Sequence, residues 1–222
     1  MPAPPPTRSD GPTRSDGRLV RGERTRVAVL DAAVMLATEV GLSGLSLSQL
    51  AERLGVSKSG LFAHWRSKEE LQLATIDRAR EQWVAHIVVP AVQAPRGIRR
   101  LWALHEHRIA FYQSGALPGD CFFANTEFEF AVRPGPVRDR LVEVLAEWLA
   151  LIERLATEAI EAGELPDTVD ATQLAFEIDA IGVGTVHQSR LLDRAAIHRS
   201  ARAAVLSRLR ALCTDPTLLP EA

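Results

Sequence analysis

The sequence predicts an all-α protein, with a three-helix unit near the N-terminus and a larger helical unit behind it. Three observations lead there. Beyond residue 24, apolar residues recur at spacings of three and four in segment after segment. Serines stand where such stripes begin, at Ser46, Ser57 and Ser67, and glycines where they end, at Gly41, Gly55 and Gly163. At 222 residues the chain can also bury a substantial core. The expected organisation is a disordered tail over 1–20, a helix-turn-helix unit over 21–67 and a helical body over 68–215.

The tail opens on a proline run and repeats PTRSDG in tandem, at 6–11 and 12–17, with nothing that can enter a core. Arg8, Arg14, Arg18, Arg21, Arg24 and Arg26 follow one another with few acids, so this arm can reach phosphates or a minor groove. A solvated leader is an equally open reading for Arg8 and Arg14. From Arg24 to Val40, Val27, Leu30, Val34, Ala37 and Val40 fall on or near one helix face, and Gly41 stops it. Thr25 and Arg26 at its start are candidate phosphate contacts.

The stretch Ser46 to Leu71 packs three helix starts and a glycine turn together. Ser46 and Gln49 can form a capping box, and Leu47, Leu50, Ala51 and Leu54 form the stripe of the helix they open. Gly55 suits the left-handed end of that helix, Val56 can plug the space between crossing helices, and Ser57 can cap a short helix from Lys58 to about Trp65. With Leu61 and Trp65 facing inward, Lys58, Ser59, Gly60, Phe62, Ala63 and His64 lie near the outward face, a surface of mostly short side chains that fits a major groove. Ser67 and Glu70 make a second capping box. Lys68 at the start of that helix opposes the helix dipole, which favours service to an external anion.

This stretch resembles the TetR family of bacterial transcriptional regulators, through Leu50-Ala51, Gly55-Val56-Ser57, Leu61-Phe62, His64-Trp65, Lys68 and Leu71 at the family's spacing. The resemblance is sharp over 24–72 and architectural beyond. Many members carry Tyr where Phe62 stands and Thr or Ser where Gly60 stands, so two hydroxyl contacts of the family are missing. Ser46, Ser48, Ser57, Lys58, His64 and Lys68 remain. The resemblance implies a homodimeric one-component regulator, most often a repressor, that binds a pseudo-palindromic double-stranded DNA operator and responds to a small molecule without being an enzyme. Lys58, His64 and Lys68 then meet phosphates, while Ser59, Gly60 and Ala63 approach base edges. The alternative is a helical ligand-binding protein or enzyme with a vestigial head, which joint loss of Lys58, His64 and Lys68 would favour; all three are present.

In the body, the helix opened by Ser67 can run to about Val88, ahead of Pro90, with Ile76, Ala79, Trp83 and Ile87 on one side. The family resemblance makes it the element that carries effector binding to the head. Residues 98–114 form the next helix, rich in large side chains. Residues 121–130, CFFANTEFEF, suit strand or helix locally, and the helical neighbourhood selects helix. Pro136 opens a helix with Val137, Leu141, Val144, Trp148, Leu151 and Leu155 on one stripe. The segment 170–192 carries the mostly small stripe Ala171, Ala175, Ile178, Gly182, Thr185 and Ser189, and 195–213 carries Ile197, Ala201, Val205, Leu209 and Leu212. Apart from Leu209 and Leu212, these two stripes are the expected dimer interface, meeting as a four-helix bundle across a two-fold axis.

Five phenylalanines and Tyr112 lie between Phe111 and Phe130, which points to a pocket wall. The expected effector is small and largely apolar, bound by Trp83, Trp102, Phe111, Phe122, Phe123 and Trp148, with His105, Asn125 and Glu127 as polar partners. Between Phe123 and Phe128, Glu127 would favour a cation or a hydroxyl donor.

Composition narrows the classes further. Residues 1–66 carry nine Arg or Lys against six Asp or Glu, and the remainder seventeen against twenty-two, so the basic excess sits with the helix-turn-helix. No apolar run reaches membrane-span length, no signal-peptide core is present, and Cys121 and Cys213 have neither disulfide nor metal spacing, which fits the cytoplasm. Phosphate loops, zinc-spaced Cys/His sets and nucleophile elbows are missing, so neither metal nor cofactor is expected. His105 and His107 diverge by about 200° around a helix and cannot share an ion.

Overall fold

The structure is a computed structural model that describes residues 14–62 and 64–221, with side chains from Thr25 onward except that of Phe62. The tail over 1–13, Ala63, and the side chains of Phe62, Arg14, Arg18, Arg21 and Arg24 therefore lie outside the described residues. All regular elements among the described residues are helical.

Helix α1 (Arg14–Val40) packs on α2 (Leu47–Leu54), and α3 (Lys58–Phe62) follows. Val29, Leu30, Ala33, Val34 and Ala37 of α1 meet Leu47, Leu50, Leu61 and Trp65 in the head's core. The start of α1 corrects the expected boundary by ten residues and takes in part of the stretch read as disordered. No proline follows Pro12 until Pro90, and the Arg, Leu, Val and Glu residues between oppose helix only weakly. Ser46 caps α2 as expected, accepting from the Gln49 amide at 3.3 Å, but its hydroxyl also donates to the Gln49 side-chain oxygen at 2.8 Å. Gly55 closes α2 at φ +63°, its amide bonded to carbonyls of the last turn. Val56 does not plug the helix crossing: it stays 45% exposed, while Leu61 and Trp65 are the side chains of this stretch that enter the core.

Helix α4 (Lys68–Trp83) lies against both α1 and α8 (Pro136–Glu161) and so joins head to body. It does not stop before Pro90. A π-helical turn (Val84–Val88) leads into the short α5 (Val89–Ala91), and the shifted hydrogen-bond register accommodates the proline that an unbroken α-ladder would reject. Helix α6 (Ile98–Gln113), α7 (Phe122–Phe130), α8 (Pro136–Glu161), α9 (Ala171–Ser189) and α10 (Arg194–Leu212) complete the body, where α9 packs on α8, α10 and α6. No helix among the described residues is long and apolar enough to cross a membrane.

The stripe assigned to a dimer interface faces the chain's own interior. Ala175, Ile178, Gly182, Thr185, Ser189, Ala201 and Val205 are buried, and Ala171 and Ile197 are half-buried, within a single subunit. The small side chains of α9 admit close neighbours: a Cβ on Gly182 would lie 2.1 Å from the guanidinium of Arg108 on α6, and Ser189 donates to Asp120 in the loop after α6 at 2.9 Å. Small residues allow close approach, and the approach they serve here is intramolecular. The apolar surface left outward on α9 and just past its end is Phe176, 63% exposed, Leu191, 72% exposed, and Leu192, 62% exposed.

Candidate nucleic-acid interface and effector cavity

On the head, Ser57, Lys58, Ser59 and Gly60 are exposed together where α3 begins, with His64 and Ser48 exposed nearby. Ser57 accepts from the Gly60 amide at 3.3 Å, which fixes the helix start. Arg26 stacks 5.9 Å over the Trp65 ring, placing the basic end of α1 beside the end of the motif, and Thr25 is exposed one residue earlier. Lys68 is exposed, but its ammonium donates to the Ser43 carbonyl rather than standing clear for an external anion. The turn between α1 and α2 brings that carbonyl to the start of α4, which sequence spacing does not reveal.

That turn is held from two sides. Helix α4 binds its carbonyls, through Lys68 at Ser43 and Gln72 at Leu42, the latter at 2.8 Å. The far end of α7 binds its amides: the Glu129 carboxylate accepts from Leu42 N–H at 2.8 Å and Ser43 N–H at 3.0 Å, and also from the Ser43 hydroxyl. The donors of this turn thus go to one body helix and its acceptors to another, which ties the turn to both.

Between α4, α6, α7, α8 and α9 lies a cavity of about 420 Å³ walled by Trp83, Phe123, Val144, Trp148 and Leu151. Trp83 meets Trp148 edge-on at 5.2 Å and Phe123 edge-on at 5.7 Å, so the wall is a braced aromatic corner. Arg108 sits behind it, 3% exposed, donating to Tyr112 Oη at 2.7 Å and paired with Asp179 at 3.0 Å. Its guanidinium lies 5.7 Å from the Trp83 ring and 5.3 Å from that of Trp148. Trp148 Nε1 donates to the same Asp179 carboxylate at 2.9 Å. Burial opposes the charge on Arg108, but Tyr112 and Asp179 more than compensate and hold its pKa above the ordinary value. Glu127 faces the cavity with its pKa pushed up to about 7, chiefly by burial and then by Asp179, with Arg108 opposing.

Of the expected ligand residues, the fold brings Trp83, Phe123, Glu127 and Trp148 to this cavity. Phe111 backs Trp83 at 6.2 Å instead of lining it, and Phe122 is sealed in the core. Trp102 and His105 lie with tilted rings 6.0 Å apart, outside the cavity lining, and His105 Nε2 faces the Ala201 carbonyl at 3.2 Å. Burial pushes that imidazole down to about 3, so it is neutral. Asn125 spends its amide on the Gly119 and Cys121 carbonyls, at 3.1 and 2.6 Å. Arg108 and Asp179 escape the sequence reading. The available signal was a cation on the inward spacing of α6, Leu101, Leu104, Arg108 and Tyr112, facing glycine on another helix. Cys121 is buried with its thiol pushed up to about 11, mainly by burial, and so stays protonated.

Residues 29–75 match the model of the bacterial regulatory proteins of the tetR family, and residues 97–205 match that of the tetracyclin repressor-like C-terminal domain. A TetR transcriptional regulator from Chloroflexus aurantiacus superposes with a TM-score of 0.80 at 27% identity, covering 87% of this chain and 98% of that one. The fatty acid metabolism regulator protein of Bacillus subtilis is 22% identical over 78% of this chain and 89% of its own length. The HTH-type transcriptional repressor ComR of Escherichia coli is 26% identical over 70% of this chain and 75% of its own.

Proposed function

Because the chain belongs to the TetR family of bacterial transcriptional regulators, we propose that it is a cytoplasmic, ligand-responsive repressor that reads a pseudo-palindromic operator as a homodimer. The head, residues 21–67, docks α3 in the major groove; Lys58 and His64 meet phosphates, Lys68 braces the turn between α1 and α2, Ser59, Gly60 and Ala63 approach bases, and Thr25, Arg26, Ser46, Ser48, Ser57 and Phe62 flank them. The body, 68–215, dimerises through the outward face of α9 around Phe176 and Leu191 and holds the effector in the aromatic cavity. Its role is to bind and respond, with no catalysis assigned.

The observation that carries this reading is the shared use of α7. Phe123 and Glu127 face the cavity from its first turns, and Glu129 holds the α1–α2 turn of the head from its last. An effector that shifts α7 against α4 therefore shifts the head, and it must prefer one arrangement to act at all.

Two measurements test the halves of the proposal. Lys58→Ala is expected to weaken binding to DNA upstream of the gene across sequences and to lower the salt slope by about one. An unchanged slope would remove α3 from the interface. Glu129→Ala is expected to leave the cavity's ligand affinity near wild type while reducing the ligand-induced change in operator affinity at least about fivefold. Full response in that variant would place the transmission route elsewhere.

A further inference from the structure

We propose that the cavity selects an organic cation, a protonated amine or quaternary ammonium on an apolar body, with Glu127 as its counter-ion. This rests on the reading of the cavity as the effector site. The charges around Glu127 point this way. On α6, Arg108 is committed to Tyr112 and to Asp179 of α9. Arg80 of α4 is paired with Glu147 of α8 at 2.6 Å. Arg138 of α8 donates to the Ala131 carbonyl at 3.2 Å, and Arg154, also on α8, is exposed to solvent at the cavity wall. Each buried cation is taken, and Glu127 is the cavity carboxylate left without a charged partner.

An anion here would sit against Glu127 and Asp179, and it would have to compete with Tyr112 and Asp179 for the Arg108 guanidinium. A cation gives Glu127 the partner it lacks, and the wall is suited to one: the Trp83 and Trp148 rings already lie against the guanidinium of Arg108. Space extends on both sides of Glu127. A second cavity of about 310 Å³, lined by Phe128, Phe130, Leu141 and Val142, shares Glu127, Leu145 and Val183 with the first. The fitting ligand is elongated, with its charged centre at Glu127 and apolar arms to either side. Glu127, held near pH 7 when the site is empty, then ionises fully against the bound cation, so affinity rises as pH rises through that range.

The test titrates the full-length protein with benzyltrimethylammonium, its neutral carbon isostere neopentylbenzene, and 4-phenylbutyrate, following tryptophan fluorescence and heat. At about pH 8 the cation is expected to bind at least about tenfold tighter than the isostere, and at about pH 6 less than about threefold tighter. Glu127→Gln is expected to erase the preference while binding the isostere as wild type does; the wild-type pH series stands without that variant. Equal or tighter binding of the isostere or the carboxylate at the higher pH, a preference that survives Glu127→Gln, or saturable binding by none of the three overturns the proposal. Operator binding is read separately. Cation binding that leaves operator affinity unchanged sinks the effector reading but not the selectivity, whereas operator release by the carboxylate sinks the selectivity but not the effector reading.

Discussion

Replacing Arg108 by alanine is expected to destabilise the protein by about 3–5 kcal/mol in urea unfolding, the usual cost of stripping a buried ion pair of one member. The guanidinium is buried, bonded to Tyr112 Oη, paired with Asp179 and flanked by the Trp83 and Trp148 rings. Its removal leaves Asp179 with the Trp148 indole N–H as its remaining side-chain partner and opens a void beside the cavity. Adding Asp179→Asn to Arg108→Met should recover much of the loss, because the double variant buries no unpaired charge. A single alanine variant that unfolds like wild type would show that the pair contributes nothing to the bundle.

Gly182→Ala tests the same contact from the opposite helix. Alanine in a helix interior is favoured over glycine by about 1 kcal/mol, so helix propensity alone predicts stabilisation. The new methyl, however, would lie 2.1 Å from the Arg108 guanidinium, and that group is pinned by Asp179 and Tyr112. Displacing a buried, hydrogen-bonded charge outweighs the propensity gain, and the net expectation is a loss of about 2 kcal/mol. In an Arg108→Met background the steric and ionic penalty falls, and Gly182→Ala should become neutral or stabilising. A double-mutant cycle in thermal unfolding reads this coupling directly. A Gly182→Ala variant more stable than wild type with Arg108 intact would mean that the guanidinium moves aside freely.

The helix-turn-helix was legible from residues because its determinants are local. Ser46, Gly55, Ser57 and Ser67 mark helix ends by hydrogen bonds and backbone angles reaching no more than a few residues along the chain. The three-four stripes likewise reported which faces of α1, α2 and α8 are buried, except that Val40 at the end of α1 is 44% exposed and Val27 only half-buried. A stripe says that a face is covered and not by what. That is why Ala175, Ile178 and Gly182 read as a surface for a second subunit and proved to be buried within one subunit, with Gly182 against Arg108 of α6.

The cavity divides along the same line. Trp83, Phe123, Glu127 and Trp148 could be selected as large or polar residues on inward faces, since their chemistry is visible one residue at a time. Their separation from Trp102, His105 and Phe122 depends on the rotation of each helix about its axis, which packing against non-local neighbours sets. Arg108 and Asp179 lie 71 residues apart in sequence, and although the spacing of α6 turns Arg108 inward, nothing local names Asp179 as its partner. The grip of Glu129 on Leu42 and Ser43 spans more than 80 residues and likewise exists only once α7 lies on the head. Local hydrogen bonding and periodicity thus determined the helices, their caps and the outward surface of α3. The pairing of distant charges, and the route from cavity to head, were decided by tertiary packing, because a buried charge or an amide pair is satisfied by whatever group the fold brings within about 3 Å, at any distance along the chain.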